Sequence, residues 1–382
     1  MADKFTETKT TGYGSRIVNS LGGIIFGIIL FLGSFVVLYL NEGRSSDYIT
    51  ARLTQEIGSA IISQDKTLQD KPVSATGIFN TTETIGDNLF LKPGAFIAIK
   101  RRAETYAWQE EVTSSTKKNL GGSETTETTY NYTQGWDAAP RQTSTFKHAE
   151  GHENLQPSIS NALIKAQKAT LGAYAVDPQT IELPSFTDLK LTADTIQSSK
   201  DMQLIDDRYI FVAKTAGSTY ASPKIGDMRI SYQVVPTGKT ATVFGKLDGD
   251  KISSYFNEKN KHSLYRAEWG SRAEALGELK KEQTLLLWIL RLIGVFMMWL
   301  GLNLVFAPIS VILDVLPWLG SLSQSAIALM LFAVALALTA LTIFISMITH
   351  NFWALMIIMF MLLILGIRRF MRLKKEAAQK AS

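Results

Sequence analysis

The chain of 382 residues contains no cysteine. A domain without cysteine forms no disulfides, so an exported domain of this kind needs a real hydrophobic core. The same absence excludes catalysis by a thiol and any zinc or iron site with cysteine ligands.

The sequence also lacks the motifs that frame common active sites. No nucleophile elbow, Walker loop or dinucleotide fingerprint surrounds its serine, histidine and aspartate residues. His148 and His152 stand four residues apart, as zinc ligands on a helix do, but Gly151 and polar neighbours indicate a loop. Asp248 and Asp250 lack the later acidic positions of a calcium loop. We therefore predict no enzymatic activity, no cofactor and no metal site.

Long apolar runs are present at both ends of the chain. They cover residues 17–40, 284–307, 326–348 and 352–367. The first run holds no charge and would be about 36 Å long as a helix, which is enough to cross a bilayer. It is too long for the apolar core of a signal peptide and no cleavage site follows it. The sequence therefore predicts four membrane spans, one N-terminal and three C-terminal.

The basic residues predict the orientation of these spans. Residues 1–16 and 368–382 are both basic, and such flanks are normally retained in the cytosol. An even number of spans independently places both termini on one side. We therefore expect two cytosolic tails, a cytosolic interfacial segment at 308–325 and an extracytosolic domain at 41–283.

The middle of the chain has the pattern of an α+β, strand-rich domain. Isoleucine and leucine recur every four positions over 47–63, which predicts an amphipathic helix, and a second helix is predicted over 158–167. Residues 96–112 and 124–136 predict one hairpin, and 227–235 with 240–246 predict another. Shorter strands are predicted at 73–79, 209–213 and 251–256. Ser271 and Glu274 form a capping box that begins a helix running into the second span.

Several short motifs in this order resemble those of the LUMA family of transmembrane proteins. They are Asn41-Glu42-Gly43-Arg44, Lys100-Arg101-Arg102 leading to Tyr106-x-Trp108, Gly151-His152, Gly226-Asp227-Met228-Arg229, and Arg291 followed by Met298-x-x-Gly301-Leu302-Asn303-Leu304. Each fragment alone is weak, but together they cover nearly the whole chain and the arrangement of spans.

The resemblance implies a nonenzymatic multipass protein that self-associates and binds other membrane proteins. In a eukaryote it implies the endoplasmic reticulum and inner nuclear membrane, with inner nuclear membrane and lamina proteins as partners. The absence of cysteine and the distinct C-terminal tail leave both origins open. In a bacterial relative, which we favour, the location is the cytoplasmic membrane. Membrane lipid is a partner in either case. Nucleic acid is not expected as a partner, because the basic cluster lies on the exported side.

Polar residues inside the spans cost free energy in hydrocarbon, so each indicates a specific use. Arg291 either reaches the exported interface along its own side chain, or faces the helix bundle or the soluble domain and holds an acceptor there. Assembly roles are predicted for eight residues: Arg291, Asn303, Asp314, Thr339, Thr342, Ser346, Gly23 and Gly27. The two glycines would let another helix approach closely, and the hydroxyl groups would bond between helices or line a narrow polar path.

A partner surface is predicted on the first hairpin and its neighbours. Its candidate residues are Arg101, Arg102, Tyr106, Trp108, Tyr130, Tyr132 and His152. The basic cluster at 100–102 could bind phosphate or anionic lipid, but acidic residues on the same run favour ion pairs across strands.

These observations predict a membrane scaffold that binds other membrane proteins through its extracytosolic domain and its spans. The alternative is a small channel or solute transporter that uses Arg291 and the hydroxyl groups of the third span. A hydrolase would require His152 to meet a carboxylate or a serine in a pocket.

Overall fold

The computed structural model describes residues 3–63, 65–119, 121–197, 202–258, 261–313 and 320–350, and the single residues 356, 360, 361, 364, 368 and 369. The helices bounded within these ranges are α1 (Tyr13–Glu42), α2 (Asp47–Ala51), α3 (Arg272–Leu313) and α4 (Gly320–Thr349). Short 3-10 helices cover Lys66–Leu68 and Thr143–Thr145. The strands are β1 (Asp3–Thr11), β2 (Gln55–Ile57), β3 (Pro72–Asn80), β4 (Ile85–Asp87), β5 (Leu91–Gly94), β6 (Phe96–Lys118), β7 (Glu124–Asp137), β8 (Ala162–Lys165), β9 (Ala169–Leu171), β10 (Tyr174–Val176), β11 (Thr187–Asp188), β12 (Met202–Ile205), β13 (Tyr209–Val212), β14 (Met228–Pro236), β15 (Lys239–Asp248), β16 (Lys251–Ser253), β17 (Tyr255–Asn257), β18 (His262–Leu264) and β19 (Arg266–Trp269).

The chain divides into two compact units. The sheet unit contains Met1–Lys9, Ser45–Thr116 and Thr126–Gln283, and the helix unit contains Thr10–Arg44, Lys117–Thr125 and Thr284–Ser382. Within the described residues, three helices are long and apolar enough to cross a membrane, one N-terminal and two C-terminal. The structure therefore confirms a membrane protein with a large strand-rich domain, and its described residues contain three spans against the predicted four. The predicted fourth span, 352–367, lies almost wholly outside the described residues.

The first sheet of the sheet unit has eight strands in the order β1-β7-β6-β14-β13-β12, with β8 paired to β6 and β11 paired to β14. The second sheet contains β2, β3, β9, β10, β15, β16 and β19. Because β15 pairs with both β16 and β3, five strands of the second sheet form a closed ring. These strands contribute Val73, Phe79, Leu171 and Val243 to a buried hydrophobic core.

The predicted second hairpin is wrong, although both of its strands exist. β14 belongs to the first sheet and β15 to the second, so the turn at 237–238 passes between sheets. The Gly238 amide donates to the Phe79 carbonyl at 2.9 Å, and Thr237 Oγ1 donates to the Ala95 carbonyl at 3.2 Å. These contacts direct β15 onto β3, which pairs with it over eight residues.

The helices predicted over 47–63 and 158–167 are also wrong. Ser46 caps α2, which ends after five residues, and β2 then pairs in parallel with β3. Two of the residues that suggested a buried helical face, Leu53 and Ile61, are 64% and 78% exposed. Residues 162–165 form β8 and not a helix, because they pair with β6. In each case pairing with a distant strand outweighs local helical periodicity.

Most of the N-terminal segment, which was predicted as a cytosolic tail, forms a strand. Residues 3–11 form β1, the edge strand beside β7. Threonine at positions 6, 8 and 10 favours a strand, and the Oγ1 atoms of Thr6 and Thr129 lie 3.5 Å apart.

The helix unit has its own core of Leu38, Met298 and Ala335, contributed by α1, α3 and α4. α3 continues through Pro308 to Leu313, so the predicted break at that proline is wrong. Membrane helices tolerate proline because neighbouring groups satisfy the freed carbonyl. The remainder of the predicted interfacial segment, 314–319, lies outside the described residues.

Candidate functional site

An ion pair joins two helices of the helix unit. Glu42 is the last residue of α1, and Arg291 lies in the middle of α3. Nε of Arg291 is 2.8 Å from Oε1 of Glu42, and Nη2 is 2.9 Å from Oε2, so the contact is bidentate. The two side chains are 18% and 5% exposed. The guanidinium group also lies over the Trp288 ring, 4.8 Å from its centroid.

In this geometry the Arg291 side chain holds an acceptor on another helix, the Glu42 carboxylate at the end of α1. Both partners lie in motifs that carry the family resemblance, yet sequence reasoning did not pair them. They are 249 residues apart, and local spacing carries no information on such a pair.

A close helix crossing lies further along the same two helices. A Cβ atom added at Gly27 would lie 2.8 Å from Leu304 Cβ and 2.9 Å from the Gly301 carbonyl oxygen. At Gly23 the added atom would meet Leu304 at an ordinary 3.6 Å. The structure therefore places the predicted small-residue pair at a helix contact, and that contact is with α3 of the same chain.

The hydroxyl groups of α4 bond inside the bundle. Ser346 is fully buried and donates to the Tyr39 carbonyl of α1 at 2.7 Å. Thr342 donates to a carbonyl one turn earlier in its own helix at 2.7 Å. Thr339 is buried with Oγ1 3.6 Å from the Met298 sulfur of α3. Each of these hydroxyls has an acceptor within the protein.

The two remaining assembly candidates differ in what can be said of them. The Asn303 side-chain amide donates to the Trp299 carbonyl at 2.7 Å, within α3. The Trp299 indole donates to the Ala328 carbonyl of α4 at 3.0 Å. Asp314 lies outside the described residues.

An aromatic and histidine cluster occupies the base of the β6–β7 hairpin in the sheet unit. The rings of Tyr132 and His152 stack with centroids 4.0 Å apart, and both side chains are buried. Trp108 meets His152 edge to face at 4.7 Å, and Tyr130 meets His148 at 5.4 Å.

Strand β1 covers this cluster. The Phe5 ring stacks on the His148 ring at 4.3 Å, and Lys147 pairs with Glu7 at 3.4 Å. Nε2 of His152 lies 3.4 Å from an Asp3 carboxylate oxygen but without hydrogen-bond geometry. The histidine is only 1% exposed, so a substrate does not reach this contact.

The cluster therefore corrects the predicted partner surface. Tyr132 and His152 are interior residues and offer no surface. Tyr106, Trp108 and Tyr130 are partly exposed, and the Tyr106 ring meets Trp136 at 5.3 Å. The Tyr132 hydroxyl donates to Glu110 and accepts from the His148 amide, and burial raises the pKa of this phenol.

Arg101 is also buried. Its Nη1 lies 2.7 Å from both carboxylate oxygens of Asp87, and its Nε donates to the Ser160 carbonyl. Tyr232 donates its hydroxyl to the same Asp87, and burial raises the pKa of that tyrosine. Arg102, on the opposite face of β6, is exposed. The predicted cross-strand ion pair exists with another partner, because Glu104 pairs with Arg229 of β14 at 2.5 Å.

Sequence reasoning missed a second charged cluster, centred on Arg266 of β19. This partly buried guanidinium pairs with four carboxylates, those of Asp47, Glu182, Glu268 and Glu282. Burial raises the pKa of Glu268, while Arg266 acts in the opposite direction. These residues are spread along the chain from 47 to 282, so no local sequence motif indicates that they form a cluster. Within the part of the chain that the structure describes, no group of three histidine, aspartate or glutamate side chains is placed to hold a metal ion.

Comparison with known proteins gives consistent matches. The model of the family described as transmembrane protein 43 matches residues 105–352. Transmembrane protein 43 of Rattus norvegicus is 24% identical over 365 residues, covering 89% of this chain and 87% of the relative. The Homo sapiens protein is 23% identical, covering 93% and 91%. A Drosophila melanogaster homolog is 24% identical, covering 73% and 75%. No solved structure matches.

Proposed function

Because this chain belongs to the transmembrane protein 43 family, we propose that it is a nonenzymatic membrane scaffold that self-associates and holds other membrane proteins. It is an integral membrane protein. We propose the endoplasmic reticulum and inner nuclear membrane as its location in a eukaryote, and the cytoplasmic membrane in a bacterium. Its proposed partners are lipid, further copies of itself and other membrane proteins, including lamina-associated proteins where a lamina exists.

The observation that carries the proposal is the use of polar groups inside the helix unit. Arg291 is bound to Glu42, and Ser346 is bound to a carbonyl of α1. A transport path normally presents ionisable or hydroxyl groups to a passing solute, whereas here the side chains named above bond to their own bundle. The bundle is therefore suited to act as a rigid anchor, and this favours a scaffold over a channel.

The sheet unit supplies the proposed binding surface. Tyr106, Trp108 and Tyr130 are partly exposed on the β6–β7 hairpin, and aromatic residues of this kind are enriched at interfaces. Arg102 is exposed on the same strand. This surface is smaller than the one predicted from sequence, because Arg101, Tyr132 and His152 are interior.

Chemical crosslinking in the native membrane, followed by mass spectrometry, tests the proposal. We expect crosslinks between copies of the chain and crosslinks to other membrane proteins from the partly exposed hairpin residues. The same reaction after solubilisation in denaturing detergent is the control. Recovery of the chain as an uncrosslinked monomer under native conditions would contradict self-association.

A flux assay separates the scaffold from the channel. Purified protein in sealed liposomes should give no ion or solute flux above empty liposomes. The variant Arg291→Ala should then change assembly, seen as a shift in crosslinked species, and leave permeability at the background level. Saturable flux that Arg291→Ala abolishes would establish the channel and overturn the scaffold.

A further inference from the structure

A polar groove lies on one face of the first sheet and shares Arg102 with the proposed binding surface. Its volume is about 740 Å³. Its walls come from β6, β14 and β8, from Asp188 of β11, and from the turn before β13. Pockets that bind small ligands commonly have volumes of this order.

The acidic side chains that line the groove have partners within the protein, whereas two of the basic ones do not. Glu104 is bound by Arg229, and Asp188 accepts a hydrogen bond from Gln233 at 2.8 Å. By contrast, the side chains of Lys100 and Arg102 have no hydrogen bond or ion pair with any residue in the described ranges. Both are exposed and both line the groove, so two cationic groups on one strand remain available to a ligand.

A third cation stands on the other side of the groove floor. Arg208 packs over the Tyr209 ring at 5.2 Å from its centroid and forms no ion pair with the described residues. The sheet register places Ser231 opposite Arg102, and β13 follows on the far side of β14. Strands two positions apart are separated by about 10 Å, so the cations flank the groove on two sides.

Uncharged polar side chains also line the groove. They are Ser231 and Gln233 of β14 and Asn161, beside the carboxylates of Glu104 and Asp188. Hydroxyl and amide side chains both donate and accept hydrogen bonds, as the recognition of sugar or inositol hydroxyls requires. Phosphate oxygens accept charge-assisted hydrogen bonds from arginine and lysine, and these bonds are stronger than neutral ones.

We propose that this groove binds a phosphorylated polyol, such as a sugar phosphate or an inositol phosphate. Lys100, Arg102 and Arg208 would contact the phosphate groups, and Ser231 and Gln233 the hydroxyl groups. The ligand is either soluble or the headgroup of a lipid, since both present the same chemistry. The proposal does not depend on the scaffold function.

Calorimetric titration of the full-length protein in nanodiscs of zwitterionic lipid tests this site. An inositol bisphosphate is the probe, and unphosphorylated inositol is the neutral comparison. We expect saturable binding of the bisphosphate at one site per chain, and none of inositol. The groove variant Lys100→Gln/Arg102→Gln should weaken binding by at least about tenfold, because the loss of even one charge-assisted bond carries about that factor. Arg208→Gln should weaken it in the same direction.

A matched control separates the groove from general charge attraction. The variant Arg52→Gln/Lys66→Gln also removes one arginine and one lysine from exposed positions of the sheet unit, away from the groove. Its affinity should equal that of the unmodified chain. Equal weakening in both double variants, absence of saturable binding, or tighter binding of a hexaglutamate peptide would each overturn the proposal. Thermal unfolding of every variant verifies that the fold is intact.

A second titration identifies the source of the ligand. A short-chain phosphatidylinositol phosphate with the same headgroup is compared with the free inositol bisphosphate. Equal affinity assigns the site to the headgroup chemistry alone. Tighter binding of the lipid that is still lost in Lys100→Gln/Arg102→Gln assigns it to a membrane lipid. Lipid binding that survives in this variant would place the contact elsewhere and overturn the groove.

Discussion

Removing either partner of the Arg291–Glu42 pair should destabilise the helix bundle strongly. In Arg291→Met, the carboxylate of Glu42 stays at the end of α1 with 5% of its side chain exposed and no cation against it. A negative charge at a helix C-terminus is already unfavourable, because the helix dipole is negative there. In Glu42→Gln, the guanidinium of Arg291 is left without its counter-ion.

The size of the expected loss of stability follows from the geometry and burial of the pair. Two hydrogen bonds of 2.8 and 2.9 Å are lost, and the remaining charge is largely shielded from water. Breaking a buried ion pair by removing one partner costs about 3–5 kcal/mol, since the remaining charge is uncompensated. In the double variant Arg291→Met/Glu42→Gln no charge remains, so we expect a loss smaller than the sum of the single losses by about 2 kcal/mol or more.

The same chain offers a control pair. Lys281 and Glu278 of α3 form an ion pair at 2.6 Å, but their side chains are 75% and 58% exposed. Exposed pairs of this kind contribute about 0.5 kcal/mol or less. The variant Lys281→Met should therefore leave stability almost unchanged, although it removes the same type of contact.

Unfolding by titration with sodium dodecyl sulfate in mixed micelles, followed by tryptophan fluorescence, measures these differences. The four members of the double-mutant cycle are compared with the control variant. A coupling free energy below about 0.5 kcal/mol between residues 291 and 42 would place their pair in the exposed class and refute the reasoning.

Three further predictions concern other parts of the molecule. Gly27→Leu should lower the free energy of unfolding of the bundle by about 1–3 kcal/mol through overpacking, whereas Gly22→Leu should not, because an added Cβ at Gly22 meets nothing within 4 Å. Equal effects of the two variants in the same detergent unfolding assay would contradict the close crossing. Burial raises the pKa of Tyr265 to about 12 from 10.0, so between pH 10 and 12 this tyrosine ionises in the unfolded chain but not in the folded one. The free energy of unfolding should therefore fall across this pH range, and less steeply in Tyr265→Phe; the same pH dependence in both proteins would argue against the burial effect. Because the chain has no cysteine, Thr8→Cys and Lys66→Cys can be labelled individually with an impermeant maleimide in sealed vesicles, and both should react from the same side, since β1 is a strand of the first sheet of the sheet unit. Labelling from opposite sides would show that residues 3–11 form a tail across the membrane from that unit.

Local sequence patterns determined the elements that depend on near neighbours. The uncharged run at 17–40 lies inside α1, and the run at 326–348 lies inside α4. Ser271 and Glu274 form the capping box, with the Ser271 amide donating to Glu274 at 2.8 Å. The first hairpin follows because its strands are joined by a short turn containing Gly121 and Gly122, both with positive φ. Each of these features is encoded within a few residues.

Tertiary structure alone decided which strands and charges meet. The strands at 228–236 and 239–248 read as a hairpin, but the amide of Gly238 bonds to β3 and sends them into different sheets. The isoleucine spacing after residue 47 reads as a helix, but pairing with β3 takes part of that segment into a sheet.

The same holds for the candidate sites. Arg291 was identified from sequence as a costly charge in a span, but its acceptor Glu42 is brought to it only by the packing of α1 on α3. The basic run at 100–102 was visible, but only the sheet buries Arg101 on one face and leaves Lys100 and Arg102 on the other. Spacing along the chain fixes the conformation of a segment, whereas contacts between distant segments depend on which surfaces bury the most apolar area and satisfy the most polar groups.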